Sequence, residues 1–117
     1  MARVLCIDDN ETGLRIRALL LRSFGFSVDV ADSREAALHQ FRKNDYDVVV
    51  TDYYLGDDTG TRLAREMKQM RTEIPVVLLS GMVEEPAGLE YVDAFVVKSD
   101  PPKVLAATIA NLALAVA

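Results

Sequence analysis

The chain has 117 residues, half of which are hydrophobic, and a formal net charge of −5. We expect a single compact domain, residues 1–117, because this length and hydrophobic share suffice for one core. The acidic balance and the lack of a dense cluster of lysine and arginine argue against nucleic-acid binding by this domain. No apolar run is long enough for a membrane span or for a signal peptide, so we expect a cytoplasmic protein without a membrane partner.

Hydrophobic runs alternate with helical patterns along the whole chain, which predicts a βα repeat that closes into a parallel sheet. Three runs are β-favouring throughout, as expected for central strands covered on both faces: residues 4–7, 48–51 and 76–79. The single cysteine, Cys6, lies in the first run and is predicted to be a small core residue. Residues 27–32 alternate apolar with polar, which predicts an edge strand, and residues 93–97 form the other edge candidate.

Helical segments between these strands carry apolar residues three or four positions apart, as a helix packed on a sheet requires. Ser33 is the predicted N-cap of the second helix, and Gly25 the predicted end of the first. Residues 82–92, interrupted by Pro86 and Gly88, predict a short or irregular fourth helix, and a fifth follows Pro101 and Pro102. The predicted apolar faces are Leu14, Ala18 and Leu21; Ala37, Leu38 and Phe41; Leu63, Met67 and Met70; and Leu105, Ile109, Leu112 and Val116.

Right-handed crossovers, with the alternating strand at one edge, predict an α/β fold with a doubly wound five-stranded parallel sheet in the order 2-1-3-4-5. Such sheets bind ligands at the carboxyl ends of their central strands, near the switch point between strands 1 and 3. The residues that follow these strands are therefore the candidates for a functional site.

Polar residues follow four of the predicted strands: Asp8 and Asp9, Asp52, Ser80, and Lys98. Each alone has an ordinary explanation, such as helix capping for the acidic pair or a turn for Asp52. Together they would bring three carboxylates to one edge of the sheet. Neighbouring carboxylates repel unless a cation lies between them, and oxygen ligands suit Mg²⁺. We therefore expect a magnesium site.

Over essentially its whole length the chain resembles the receiver domain of two-component response regulators, with its CheY-like, flavodoxin-like (βα)5 fold. The resemblance rests on the acidic pair after strand 1, on Asp52 with Gly60 eight residues further on, on Ser80 followed by the small Gly81, and on Lys98. It implies a signalling switch that assists its own phosphorylation and dephosphorylation, without being an enzyme for other substrates.

The resemblance also implies a role for each site residue. Asp52 would accept a phosphoryl group from a histidine kinase or a phosphotransfer protein. Mg²⁺ would be held by Asp9, Asp52 and the backbone carbonyl of Tyr54, with Asp8 acting through water. Ser80 and Lys98 would contact the phosphoryl oxygens. Ser80 and the aromatic residue Phe95 would together act as a conformational switch.

Some positions depart from the family pattern. Gly56 replaces the usual proline after the phosphoacceptor, and Ser99 replaces the proline that normally follows the lysine in a cis peptide. Because a cis bond before a non-proline residue costs roughly 3 kcal/mol, the backbone at Lys98 is expected to differ. Tyr54 and Met82 are bulky, which predicts slow hydrolysis of an aspartyl phosphate.

Other functions remain open at this stage. One alternative is a receiver-like interaction module that works without phosphorylation. Another is a phosphatase that uses Asp52 as its nucleophile, although Tyr54 stands where such enzymes carry a second aspartate. The last predicted helix has no charge from Val104 to Ala117, so we expect residues 82–117 to contact an effector domain or a second copy of the chain.

Overall fold

The computed structural model describes residues 2–81 and 88–116 and contains the predicted five-stranded parallel sheet. We number its strands β1 to β5 in chain order. Their sheet order is β2-β1-β3-β4-β5, so the predicted order 2-1-3-4-5 is confirmed. The strands are β1 (Arg3–Ile7), β2 (Ser27–Ala31), β3 (Val48–Asp52), β4 (Val76–Ser80) and β5 (Ala94–Val97).

The described residues form four α-helices and two smaller elements. The helices are α1 (Glu11–Ser23), α2 (Arg34–Lys43), α3 (Gly60–Met70) and α4 (Pro102–Val116). A two-stranded hairpin, Tyr54–Leu55 with Asp58–Thr59, follows β3, and a 3-10 turn covers Leu89–Tyr91. This turn is the described part of the predicted fourth helix, whose residues 82–87 lie outside the described range. The predicted fifth helix is α4, and it begins at Pro102 itself, since proline suits the first helical turn.

Helix ends follow the expected local chemistry. The side chain of Ser33 caps α2 by accepting a hydrogen bond from the N–H of Ala36 at 3.1 Å. Asn10 caps α1 in the same way, through the N–H of Gly13 at 3.0 Å. After α1 the chain reverses at Gly25, whose φ of 97° lies in the left-handed region that favours glycine.

Two hydrophobic clusters cover the faces of the sheet. One packs α2 and α3 against Leu5 and Ile7, and the other packs α1 and α4 against Val4 and Cys6. All but three of the residues predicted for the apolar faces are buried; Leu112 is half-buried, and the side chain of Val116 lies outside the described part of the chain.

One expectation about an apolar side chain was wrong. Met70, at the last turn of α3, is 40% exposed, because the helix ends there before its face returns to the sheet. Val30 in the edge strand β2 is 38% exposed, whereas Val28 is buried. None of the helices within residues 2–81 and 88–116 has the length and apolar character needed to cross a membrane.

Candidate functional site

The carboxyl ends of four strands place polar residues at one edge of the sheet. Asp8 follows β1, Asp52 is the last residue of β3, Ser80 is the last residue of β4, and Lys98 follows β5. Three of these are almost fully buried, with exposures of 1% for Asp8, 7% for Asp52 and 2% for Ser80. The register explains this convergence, since Asp52 pairs with Leu79 directly before Ser80, and Ser80 pairs with Val97 directly before Lys98.

Three carboxylates form the centre of the site. One oxygen from each of Asp8, Asp9 and Asp52 lies within 4.8 Å of the others. Asp9 is exposed, and its Oδ2 accepts a hydrogen bond from the N–H of Gly56 at 3.0 Å. Hard oxygen donors at this separation fit a divalent cation of the Mg²⁺ class.

Lys98 provides a cation at the site. Its Nζ lies 3.0 Å from Oδ1 of Asp52 and 3.4 Å from Oδ2 of Asp8. Its backbone N–H donates to the carbonyl oxygen of Ser80 at 2.8 Å, which ties the end of β5 to the end of β4. No cis peptide bond occurs among the described residues, so Lys98 reaches both acids with a trans bond to Ser99.

Arg17 is a second cation, and sequence reasoning missed it. Its Nη1 lies 2.9 Å from Oδ2 of Asp8, and its side chain is only 16% exposed. A signal was present, because Arg17 lies on the same face of α1 as Leu14 and Leu21. A charged residue on a buried helix face needs a counterion, and Asp8 is that counterion.

The two buried carboxyl groups have opposite pKa shifts. Burial opposes ionisation of Asp8, but hydrogen bonds from Asn10 and Arg17 and the charges of Lys98 and Arg17 outweigh it, so the pKa of Asp8 is lowered. Burial raises the pKa of Asp52, and the negative charge of Asp8 adds to this effect. The hydrogen bond and charge of Lys98 offset the rise only in part. Asp52 is thus the less stabilised anion of the pair.

The loop after β3 holds the site together from one side. Gly56 has a φ of 64°, in the left-handed region, and a proline in its place would lack the N–H that contacts Asp9. Gly60 donates its N–H to the carbonyl oxygen of Tyr53 at 2.7 Å. A Cβ added at Gly60 would lie 2.2 Å from the backbone oxygen of Asp52. These contacts give a physical reason for glycine at both positions.

The remaining predicted residues lie near the cluster with different exposures. Tyr54 is 57% exposed, and its ring contacts that of Tyr53 edge-on at 4.8 Å. Phe95 is half-buried in β5, where it pairs with Leu78. Met82 lies outside the described residues.

Comparisons with known proteins match most of the chain to one family. The family model for the response regulator receiver domain matches residues 4–110. A gliding motility regulatory protein of Myxococcus xanthus is 32% identical over 104 residues, which are 84% of this chain and 13% of that protein. The aerobic respiration control sensor protein ArcB of Escherichia coli K12 is 34% identical over 95 residues, or 78% of this chain and 12% of that protein. The chain therefore spans only about an eighth of the length of these two relatives.

A solved structure is similar over nearly the whole chain. Response regulator protein TrrA from Thermotoga maritima, determined in complex with Mg²⁺-BeF, superimposes with a TM-score of 0.89 at 25% identity. The alignment covers 96% of this chain and 99% of that one.

Proposed function

The chain belongs to the response regulator receiver domain family, and from that premise we propose that it is the phosphoacceptor switch of a two-component phosphorelay. In this proposal Asp52 takes a phosphoryl group from a histidine kinase or a phosphotransfer protein. The observation that carries it is the place of Asp52: a buried carboxylate with an ammonium 3.0 Å away and two further acids beside it.

The transfer needs positioning and neutralisation of charge more than covalent help from the protein. An oxygen of Asp52 attacks the phosphorus of a phosphohistidine, the P–N bond breaks, and the imidazole nitrogen leaves with the electron pair. The product is an acyl phosphate on Asp52. Lys98 and the hydroxyl of Ser80 then contact the new phosphoryl oxygens.

The acidic cluster suits a magnesium ion in this reaction. Asp9, Asp52 and the backbone carbonyl of Tyr54 would hold it, with Asp8 acting through a water molecule. When bound, Mg²⁺ supplies positive charge for the transferring phosphoryl group. The three converging carboxylates support this assignment, since such a group is most stable with a cation.

Phosphorylation is proposed to act by shifting a conformational equilibrium. Ser80 would move toward the phosphoryl oxygens, and the half-buried Phe95 would repack. A nearly complete reversal between two states needs about 5.5 kcal/mol of differential stabilisation. New charge-assisted contacts from Lys98 and Ser80 are of the kind that supplies such energies.

The proposed setting is cytoplasmic, with an effector domain or a second copy of the chain contacting residues 82–117. Two exposed apolar side chains on α4 support this surface: Leu114, at 75% exposure, and Val104, at 37%. No charged residue lies between Val104 and Ala117 to solvate it. Nucleic-acid binding by this domain is not part of the proposal.

Intact-mass analysis after incubation with Mg²⁺ and acetyl phosphate tests the function. The wild type should gain one phosphoryl mass, and Asp52→Asn should gain none. Asp57→Asn is the matched control, because it removes an exposed carboxylate from the same loop and should leave the reaction unchanged.

The alternatives predict other results in this experiment. A folded wild type that gains no mass would contradict the proposal and favour a phosphorylation-independent interaction module. Steady turnover of a generic phosphomonoester, lost in Asp52→Asn, would favour a phosphatase instead.

A further inference from the structure

Arg17 occupies a position where a helix normally carries an apolar residue. It lies on the inner face of α1 between Leu14 and Leu21, both of which are buried. Its guanidinium extends along this face to Asp8, and its side chain is 16% exposed. Because a charge in such a place is costly unless it is paired, Arg17 and Asp8 depend on each other.

Both oxygens of Asp8 are already engaged. Oδ1 accepts the N–H of Asn10 at 2.9 Å. Oδ2 accepts from Arg17 at 2.9 Å and from Lys98 at 3.4 Å. With three carboxylates facing two cations, the cluster keeps one net negative charge. The protein thus neutralises most of its acidic site with its own side chains.

We propose that Arg17 is a positioning residue that holds Asp8 in the absence of metal and lowers the affinity of the site for Mg²⁺. This inference rests on the metal site proposed above. The guanidinium, held 2.9 Å from Oδ2 of Asp8, would repel a Mg²⁺ ion at this site through its positive charge. The acidic site therefore stays assembled at low Mg²⁺, and filling it requires a higher Mg²⁺ concentration than it would without Arg17.

Electrostatics indicates the size of this effect. Repulsion between a doubly and a singly charged cation several ångströms apart, in surroundings between protein and water, changes a dissociation constant by about tenfold. Loss of the arginine charge should therefore strengthen metal binding, whereas general damage to the fold would weaken it.

The test is calorimetric titration of Mg²⁺ into the unphosphorylated chain at constant ionic strength. Arg17→Gln keeps a hydrogen-bond donor and removes the charge, so its dissociation constant for Mg²⁺ should fall by about tenfold. Arg17→Lys keeps the charge and should stay within about threefold of the wild type. Arg15→Gln is the control, because Arg15 lies on the same helix, is 74% exposed and pairs only with Glu11 among the described ion pairs.

Each outcome decides the proposal. Equal or weaker Mg²⁺ binding by Arg17→Gln, with a wild type that binds normally, overturns the role of Arg17 and leaves the metal site intact. Absence of Mg²⁺ binding in both proteins overturns the metal site as well. If Arg17→Gln folds only when Mg²⁺ is added, the metal has replaced the arginine, which supports the proposal. If it stays unfolded with Mg²⁺, the arginine is purely structural and the proposal fails.

Discussion

Gly60 shows how closely single residues control the geometry around Asp52. A Cβ at this position would lie 2.2 Å from the backbone oxygen of Asp52 and 3.0 Å from side-chain atoms of Leu78 and Thr51. The backbone oxygen belongs to the central strand β3 and cannot move away alone. Any side chain larger than hydrogen must therefore displace the start of α3 or the end of β3.

Gly60→Ala is accordingly expected to destabilise the fold by about 3 kcal/mol, through overpacking against backbone. Urea denaturation measures the loss. Gly81→Ala serves as the control, since a Cβ there has no atom of the described residues within 4 Å, and it should change the free energy of unfolding by less than about 0.5 kcal/mol. Equal stability of the two variants would mean that the loop adapts to the added methyl group.

Among the individual residues of the site, the sequence predicted the three aspartates and Lys98 but not Arg17. The acids and the lysine directly follow strands, and parallel topology alone brings such positions together. Arg17 lies on one side of α1, and its ion pair with Asp8 depends on how that helix packs on the sheet. Glycine at position 60 was linked to the site only by family resemblance, since its contact with Asp52 is a three-dimensional fact.

Among the elements, α4 differs most from an ordinary surface helix. Its inner residues Leu105 and Ile109 are buried, yet Leu114 on its outer side is 75% exposed. Apolar periodicity predicted the inner face well, because burial against a sheet imposes it. The same periodicity failed at Met70, which lies at a helix end, where apolar residues are free to face solvent.

If α4 is an association surface, Leu114→Lys should abolish self-association while changing the free energy of unfolding by less than about 0.5 kcal/mol. Sedimentation velocity over a range of concentrations, with and without acetyl phosphate, measures this. Met70→Lys is the control, because it places the same charge on an exposed apolar position of α3, against the other face of the sheet. A wild type that stays monomeric in both states would argue against self-association through α4.

At the level of the whole molecule, the sheet topology was predictable because three strands are buried on both faces and one alternates. The same burial makes the contribution of the Cys6 thiol to folding stability depend on pH. Burial raises the pKa of the Cys6 thiol from 9.0 to about 11, with the nearby charge of Arg17 opposing the rise. In the unfolded chain the Cys6 thiol therefore ionises at a lower pH than it does in the folded protein.

The contribution of Cys6 to stability should consequently be constant below about pH 9 and fall as the pH rises from 9 toward 11, by up to about 3 kcal/mol. Urea denaturation at a series of pH values measures the slope. Cys6→Val, which keeps an apolar side chain of similar size, should remove this part of the slope. A slope that is the same in both proteins would assign alkaline destabilisation to other groups, such as Tyr46, whose pKa is raised to about 12 by burial and its hydrogen bond with Asp29.

The Lys98 amide donates a hydrogen bond to the Ser80 carbonyl oxygen at 2.8 Å. This bond links the carboxyl end of β4 to the residue that follows β5. We therefore expect the ends of these two strands to move together, which couples the position of Ser80 to that of Lys98. The rate at which the Lys98 amide proton exchanges with solvent deuterium therefore measures how often the hydrogen bond between the two strand ends opens.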